Sequence, residues 1–193
     1  MLVRGKHYRT IWTEGDPFRG EVFLIDQTAL PHDFRIACLR TQEEACHAIS
    51  GMLVRGAGLI GAAAAYGVWL AAIQAPEQGF RGHMENAFAL LRATRPTAVN
   101  LEWALERQKR RIAGLSRREA VPAAFIEACA IADEDAECCR RIGQNGLPLL
   151  RRAAEAHPGR PVEVLTHCNA GWLAFVDYGS ALSPVYAAFD EGI

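Results

Sequence analysis

Residues 56–73, GAGLIGAAAAYGVWLAAI, run for 18 positions without a charge, and this stretch constrains the fold more than any other. A membrane span needs about 20 strongly apolar residues. This run is mostly Ala and Gly, with few Leu, Ile or Val. Its composition suits a helix buried on all sides and packed closely against its neighbours, rather than one facing lipid. The remaining sequence must then supply the elements that cover it.

The chain has the means to do so. Half of its 193 residues are hydrophobic and 22% are charged, the balance of a folded globular protein. Lys plus Arg is 21 and Asp plus Glu is 22, a formal charge of −1. No general field attracts nucleic acid or anionic membranes, and neither is expected as a partner. The six cysteines (38, 46, 129, 138, 139 and 168) form no CxxC pair. The adjacent Cys138 and Cys139 suit neither a zinc site nor an unstrained disulfide between neighbours. A reducing, cytoplasmic compartment is expected, and the start MLVRGKHYRTIW has no apolar secretory core.

Residues 8–13 and 21–26 are β-branched and aromatic-rich runs separated by Glu14-Gly15-Asp16-Pro17, and both read as strands. Thr41-Gln-Glu-Glu44 is a capping box that opens a helix to about Met52. The Ala/Gly run is the second helix and residues 84–93 the third. A fourth has Pro96 in its first turn and ends near Ile112. A fifth is expected from Pro122 to Ile142, with Gly143, Gly146 and Pro148 as stops and a short helix over 149–157. His157-Pro158-Gly159 is the best domain boundary. Beyond it, VEVLT (162–166) has the pattern of a buried parallel strand, followed by a tight turn and a helix from Trp172 to about Glu191. The expected fold class is therefore α/β. A mainly helical domain with a small β element (1–157) precedes the first strand-turn-helix of a Rossmann-like domain (158–193). A lone parallel strand has no sheet to join, so this second domain is expected to be truncated.

Three places carry chemistry. The turn Val54-Arg55-Gly56-Ala57-Gly58 enters a helix, where free N–H groups and an arginine favour phosphate; a plain tight turn is the bland alternative. Arg95, just before Pro96, can present its guanidinium to an anion or simply be a surface arginine. Cys168 is placed at the carboxyl end of the expected strand and just before a helix. That is where open α/β sheets bind ligands and where a helix start favours a thiolate; an inert cysteine is the alternative. A dyad with His167 is not expected, because neighbours on a strand face opposite ways. Asp133-Glu134-Asp135 is acidic but lacks partnered metal ligands, and the histidine spacing suggests no metal site.

Four stretches in order, IDQTALP (25–31), MLVRGAGLIGAAAAYG (52–67), TRPTAVNLEWAL (94–105) and LTHCNAG (165–171), resemble the methylthioribose-1-phosphate isomerases. The wider group includes ribose-1,5-bisphosphate isomerases and the regulatory subunits of the eukaryotic initiation-factor exchange complex. The resemblance covers nearly the whole chain. It implies aldose–ketose isomerisation of 5-methylthioribose 1-phosphate in methionine salvage, without cofactor or metal, by a homodimer. By the same resemblance, Arg55, Gly56, Ala57 and Arg95 hold the sugar phosphate and Cys168 is catalytic. The alternatives are a non-catalytic regulatory or sugar-phosphate-binding subunit of the same fold, or an isomerase of another ribose phosphate.

Two positions depart from the family pattern: Gly58 stands where proline is usual, expected to loosen the turn, and Trp172 where a small residue is usual, expected to reshape the methylthio pocket. By the resemblance, the family's catalytic aspartate, a substrate glutamine and an Asn-Lys pair lie in the second domain, beyond Ile193, so no residue of this sequence is expected to take those roles. Asp177, expected inside the last helix, does not replace that aspartate. The isolated chain is expected to be inactive.

Overall fold

A computed structural model describes residues 1–193. Two short antiparallel strands, β1 (Leu2–Val3) and β2 (Lys6–His7), form a hairpin. Three more, β3 (Ile11–Thr13), β4 (Val22–Ile25) and β5 (Ile36–Leu39), make an antiparallel meander in the order β3-β4-β5. Trp12 pairs directly with Phe23, and their rings stack with centroids 5.8 Å apart on one face. Val22 and Leu24 turn the other way into the core. The two expected strands are thus present but shorter. β5 lies in a segment with no strand signal of the kind seen in the first two.

Five helices form the body: α1 (Gln42–Ser50), α2 (Ala57–Gln74), α3 (Phe80–Thr94), α4 (Val99–Ile112) and α5 (Arg117–Ala156). The Thr41–Glu44 capping box forms as the sequence indicates: the Glu44 amide donates to Thr41 Oγ1 at 3.1 Å and the Thr41 amide to Glu44 Oε2 at 3.2 Å. The helix Ala57–Gln74 is long and apolar enough to cross a membrane by length and composition. It is instead the hub of the core, covered by α1, α3, α4 and α5. Its small residues allow this. A Cβ on Gly61 would come within 3.0 Å of the Asn100 carbonyl oxygen, and one on Gly67 within 2.8 Å of Leu91. Trp69 is fully buried and donates its indole N–H to the Pro17 carbonyl at 2.9 Å. Gln108 of α4, also fully buried, donates to the carbonyls of Ala65 in α2 (3.2 Å) and Ala124 in α5 (2.9 Å).

These pairs also give the direction of the bundle. Asn100 lies beside Gly61 and Gln108 beside Ala65, so α2 and α4 run parallel. Ala124 shares Gln108 with Ala65, and Asp135 lies beside Gly58, so α5 runs antiparallel to both. The N-termini of α2 and α4 therefore sit at one end of the bundle.

Several sequence expectations are corrected. α3 is longer than residues 84–93. α4 begins at Val99 rather than at Pro96, which lies in the preceding turn. α5 is one helix of 40 residues from Arg117 to Ala156, not two separated by glycine and proline. It begins five residues before Pro122, at a Ser116–Glu119 box in which the Ser116 amide donates to Glu119 at 3.0 Å. Gly143 and Gly146 do not stop it, because they are where α6 (Ser183–Asp190) crosses. A Cβ on Gly143 would lie 2.5 Å from Ser183 Oγ, and Pro184 occupies the space over Gly146. Ser183 also donates to the Cys139 carbonyl at 2.8 Å.

The segment after the 157–159 turn differs most. Residues 162–166 form no strand: Leu165 is 99% exposed and Val164 48%. A strand needs a neighbour to take up its N–H and C=O groups, and none is paired with this segment. The expected helix from Trp172 to Glu191 is also absent as such. A single 3₁₀ turn, Trp172–Ala174, is followed by irregular chain and then α6. Asp177 thus lies outside any helix. It is buried, accepting from His7 Nε2 at 2.7 Å and from the Met1 α-amino group at 2.8 Å.

Candidate functional site

The end of the bundle where α2 and α4 begin gathers three irregular segments. The first is the turn before α2. Gly56 caps that helix at φ +98°, a conformation open to glycine, and no side chain caps it. The first helical bond is from the Ile60 amide to the Gly56 carbonyl at 3.0 Å, so the amides of Ala57, Gly58 and Leu59 have no partner in the chain. Arg55 is exposed beside them and pairs with no carboxylate. An uncapped helix start with an unpaired guanidinium can hold an anion.

The second segment is residues 95–98. Arg95 ends α3 at φ −148° and ψ 77°, half-buried, and it too has no acidic partner. Its neighbour Arg92 is taken by Glu102, with Nε donating at 2.6 Å, and by Glu106 at 3.0 Å. The acids of α4 are thus spent on Arg92, and Arg95 is left available.

The third is residues 170–177, downstream of Cys168. The Ala170 carbonyl accepts from the Ser180 amide at 3.0 Å. Ala174 lies directly on Gly56, where any Cβ would collide with it. Gln27 donates to the Leu173 carbonyl at 2.6 Å, and Thr10 Oγ1 to the Phe175 carbonyl at 2.5 Å. Asp135 of α5 accepts from the Val176 amide at 2.7 Å. Burial pushes the Asp135 carboxyl above its ordinary pKa, and the Val176 bond only partly opposes this.

Cys168 itself is exposed, in a left-handed backbone conformation with φ +67°. That conformation costs a non-glycine residue about 1–2 kcal/mol. The bend begins at Cys168 rather than at His167, and no hydrogen bond joins the two side chains. The expected strand end and adjoining helix start are not there to favour its thiolate, because the nearest helical turn begins four residues later, at Trp172.

A cleft of about 430 Å³ opens at this end, lined by Gly58, Gly61, Asn100, Trp103, Asp135 and Cys138 among others. Neither Arg55, Arg95 nor Cys168 lines it or any other larger cavity of the chain. The fold brings the two arginine-bearing turns and the segment following Cys168 to one end, without enclosing them in a shared pocket. Gly58 does not loosen its turn: it is buried, and a Cβ there would strike the Asp135 carboxylate and approach the Phe175 ring to 2.6 Å. Trp172 is half-buried with its indole N–H unpartnered. No three His, Cys, Asp or Glu side chains converge as a metal site would require.

Asp135 is the residue that sequence reasoning passed over. Its acidic neighbours are spoken for on the surface, Asp133 by Arg9 at 2.5 Å and Glu134 by Arg107, whose Nη2 donates at 2.7 Å. Only folding sets Asp135 apart from them.

Residues 53–193 match the model of the Initiation factor 2 subunit family. The chain belongs to that family. Within the Initiation factor 2 subunit family, its curated relatives carry a more specific name. It is 47% identical over 194 residues to the methylthioribose-1-phosphate isomerase of Sinorhizobium medicae, covering 100% of this chain and 52% of that protein. It is 52% identical over 196 residues to the enzyme of that name from Methylorubrum extorquens, covering 100% of this chain and 51% of that protein. Among solved structures, the 5-methylthioribose 1-phosphate isomerase of Pyrococcus horikoshii OT3 matches with TM-score 0.82 and 36% identity, over 97% of this chain and 51% of that one. The translation initiation factor eIF-2B delta subunit from A. fulgidus matches with TM-score 0.79 and 36% identity, over 96% and 52%. The chain spans about half the length of the relatives it matches. The mixed α/β architecture is shared with them.

Proposed function

We propose that this chain is the sugar-phosphate-holding half of an aldose–ketose isomerase that converts 5-methylthioribose 1-phosphate to 5-methylthioribulose 1-phosphate. One observation carries the reading beyond similarity. Arg55 and Arg95 are left without acidic partners at the same end of the bundle, beside an uncapped helix start and the segment that follows Cys168. Two unpaired guanidiniums and a helix start with free amides at one end of the bundle suit a phosphate dianion.

The chemistry follows from the substrate. C1 carries the phosphate, so no free aldehyde exists and the ring must open before isomerisation. An acid protonates the ring oxygen, and hydrogen then passes from C2 to C1, leaving the ketone at C2. Both steps need a firmly held phosphate and little water. In this reading Arg55, Gly56, Ala57 and Arg95 hold the phosphate, and Cys168 serves the reacting carbons. Residues 158–193 open a second, Rossmann-like domain after the helical domain 1–157. Residues 162–166 become a strand when the remainder of that domain supplies neighbours, which moves Cys168 to the mouth of the sheet. The active form is a cytoplasmic homodimer, consistent with six free thiols.

The test is turnover of 5-methylthioribose 1-phosphate by the full-length protein and by Cys168→Ser. Turnover by the first and loss of at least a hundredfold in the second, with substrate still bound, is the expected result. A second reading, a non-catalytic subunit, is favoured by the equal identity to the eIF-2B delta subunit. Absence of turnover in the full-length protein supports that reading and overturns the first.

A further inference from the structure

Several polar side chains from separate parts of the chain converge on one stretch of irregular backbone. Residues 171–177, which include the 3₁₀ turn and precede α6, have few regular hydrogen bonds of their own. Four side chains from four separate places reach them. Gln27, at the end of β4, holds the Leu173 carbonyl. Thr10, before β3, holds the Phe175 carbonyl, while its own amide donates to the Val176 carbonyl at 3.0 Å. Asp135, in mid-α5, takes the Val176 amide. His7 holds Asp177. Thr10 and Val176 are both fully buried. Asp135 is the acceptor for the Val176 amide, so without it that donor would be buried and unpaired.

Asp135 does more than satisfy an amide. Its other oxygen lies against Gly58 Cα, in the space a side chain at 58 would need, with the Phe175 ring on the same spot. One carboxylate therefore touches the first turn of α2 and the segment that follows Cys168 at once. Two positions earlier, Gly56 meets Ala174 backbone to backbone. These two contacts hold the turn before α2 against the segment that follows Cys168. The glycine at 58 is what admits the carboxylate.

We propose that Asp135 is a positioning residue that clamps residues 174–176 to the start of α2 and so anchors the downstream end of the segment that brings Cys168 to the phosphate held at Arg55. This rests on the isomerase reading for its catalytic consequence, but not for its structural one. Asp135 touches neither the phosphate turn's arginine nor the thiol, and it acts through the backbone it holds. Losing the clamp leaves the phosphate's own ligands in place, so binding survives and the reacting centre is misplaced.

The experiment uses Asp135→Ala, Asp135→Leu and Asp135→Asn. Leucine fills the volume without an acceptor, in case the alanine variant does not fold. Asparagine keeps an oxygen for the Val176 amide. In the full-length protein, alanine and leucine are expected to lower kcat at least tenfold with KM changed less than threefold, and asparagine to restore kcat to within threefold of wild type. In the 193-residue chain, hydrogen exchange at the Val176 amide is expected to accelerate at least tenfold in the alanine and leucine variants and less than threefold in Asp135→Asn, with α4 amides unchanged. Equal acceleration at α4 and Val176, or none at Val176, overturns the clamp. A kcat kept within twofold in Asp135→Leu, or a rise in KM alone, overturns the positioning role. A full-length wild-type protein without isomerase activity overturns the functional reading only, and the exchange measurement still decides the clamp.

Discussion

Gly56 and Ala174 meet with no room between them: a Cβ on Gly56 would fall onto the Ala174 backbone, and Gly56 holds φ +98° besides. A residue that must be left-handed and bare joins the turn before α2 to the segment after Cys168. Gly56→Ala is therefore expected to destabilise the chain by about 2–5 kcal/mol, the sum of the left-handed backbone cost and overpacking against backbone that cannot yield. Urea unfolding of the variant checks this. A loss under about 0.5 kcal/mol would mean that the two segments separate freely.

Arg55 and Arg95 have no partners to lose, so replacing either with alanine should leave stability within about 0.5 kcal/mol. Affinity for the sugar phosphate should instead fall by about one to two powers of ten for each, the value of a charge-assisted hydrogen bond. Calorimetric titration of the full-length protein with 5-methylthioribose 1-phosphate measures the loss, and unchanged affinity in both variants contradicts a phosphate role.

Gln108 ties three helices together from a fully buried position. Gln108→Ala leaves a cavity at the junction of α2, α4 and α5 and should cost about 2–4 kcal/mol. The measurement is the denaturant midpoint, with the slope expected to stay constant.

Asp135 also gives stability a pH dependence. Burial raises its pKa in the folded chain above the unfolded value of about 3.9. The folded state then binds more protons across that interval. Its contribution is fullest below the unfolded pKa and is lost as pH rises through the raised folded one. Asp135→Asn should remove this component, so the difference in unfolding free energy between variant and wild type should shift in the variant's favour as pH rises from 4 to 8. Parallel stability curves for the two proteins would show that Asp135 is not shifted.

The adjacent Cys138 and Cys139 should behave oppositely. Burial pushes the Cys139 thiol up to about 12, whereas Cys138 is exposed. Brief alkylation of the native protein at pH 8, read by peptide mass, should label Cys138 and Cys168 and spare Cys139. Labelling of Cys139 at the rate of Cys138 would mean that α5 opens there.

Much of this was readable from residues alone. The composition of the Ala/Gly run at 56–73 favours a covered helix over a membrane span, and the Thr41–Glu44 box marks its own start. The turn at Arg55 and the junction at Arg95 stand out by residue type as places that could hold an anion, with a plain turn and a surface arginine as the alternatives, and the family resemblance is what assigns them a phosphate. What escaped has a common cause, because it depends on what comes near from elsewhere. Gly143 and Gly146 look like helix stops until Ser183 and Pro184 lie across them. Residues 162–166 look like a strand but have no neighbour to pair with. Asp135 is indistinguishable from Asp133 and Glu134 until Gly58 and Val176 close on it.

At a rise of 1.5 Å per residue, α5 is about 60 Å long. Asp135 and the glycines that seat α6, Gly143 and Gly146, lie within the same rod, about 12 and about 17 Å apart along its axis. A displacement of this stretch of α5 would therefore be felt both where α6 crosses and at the carboxylate under Gly58.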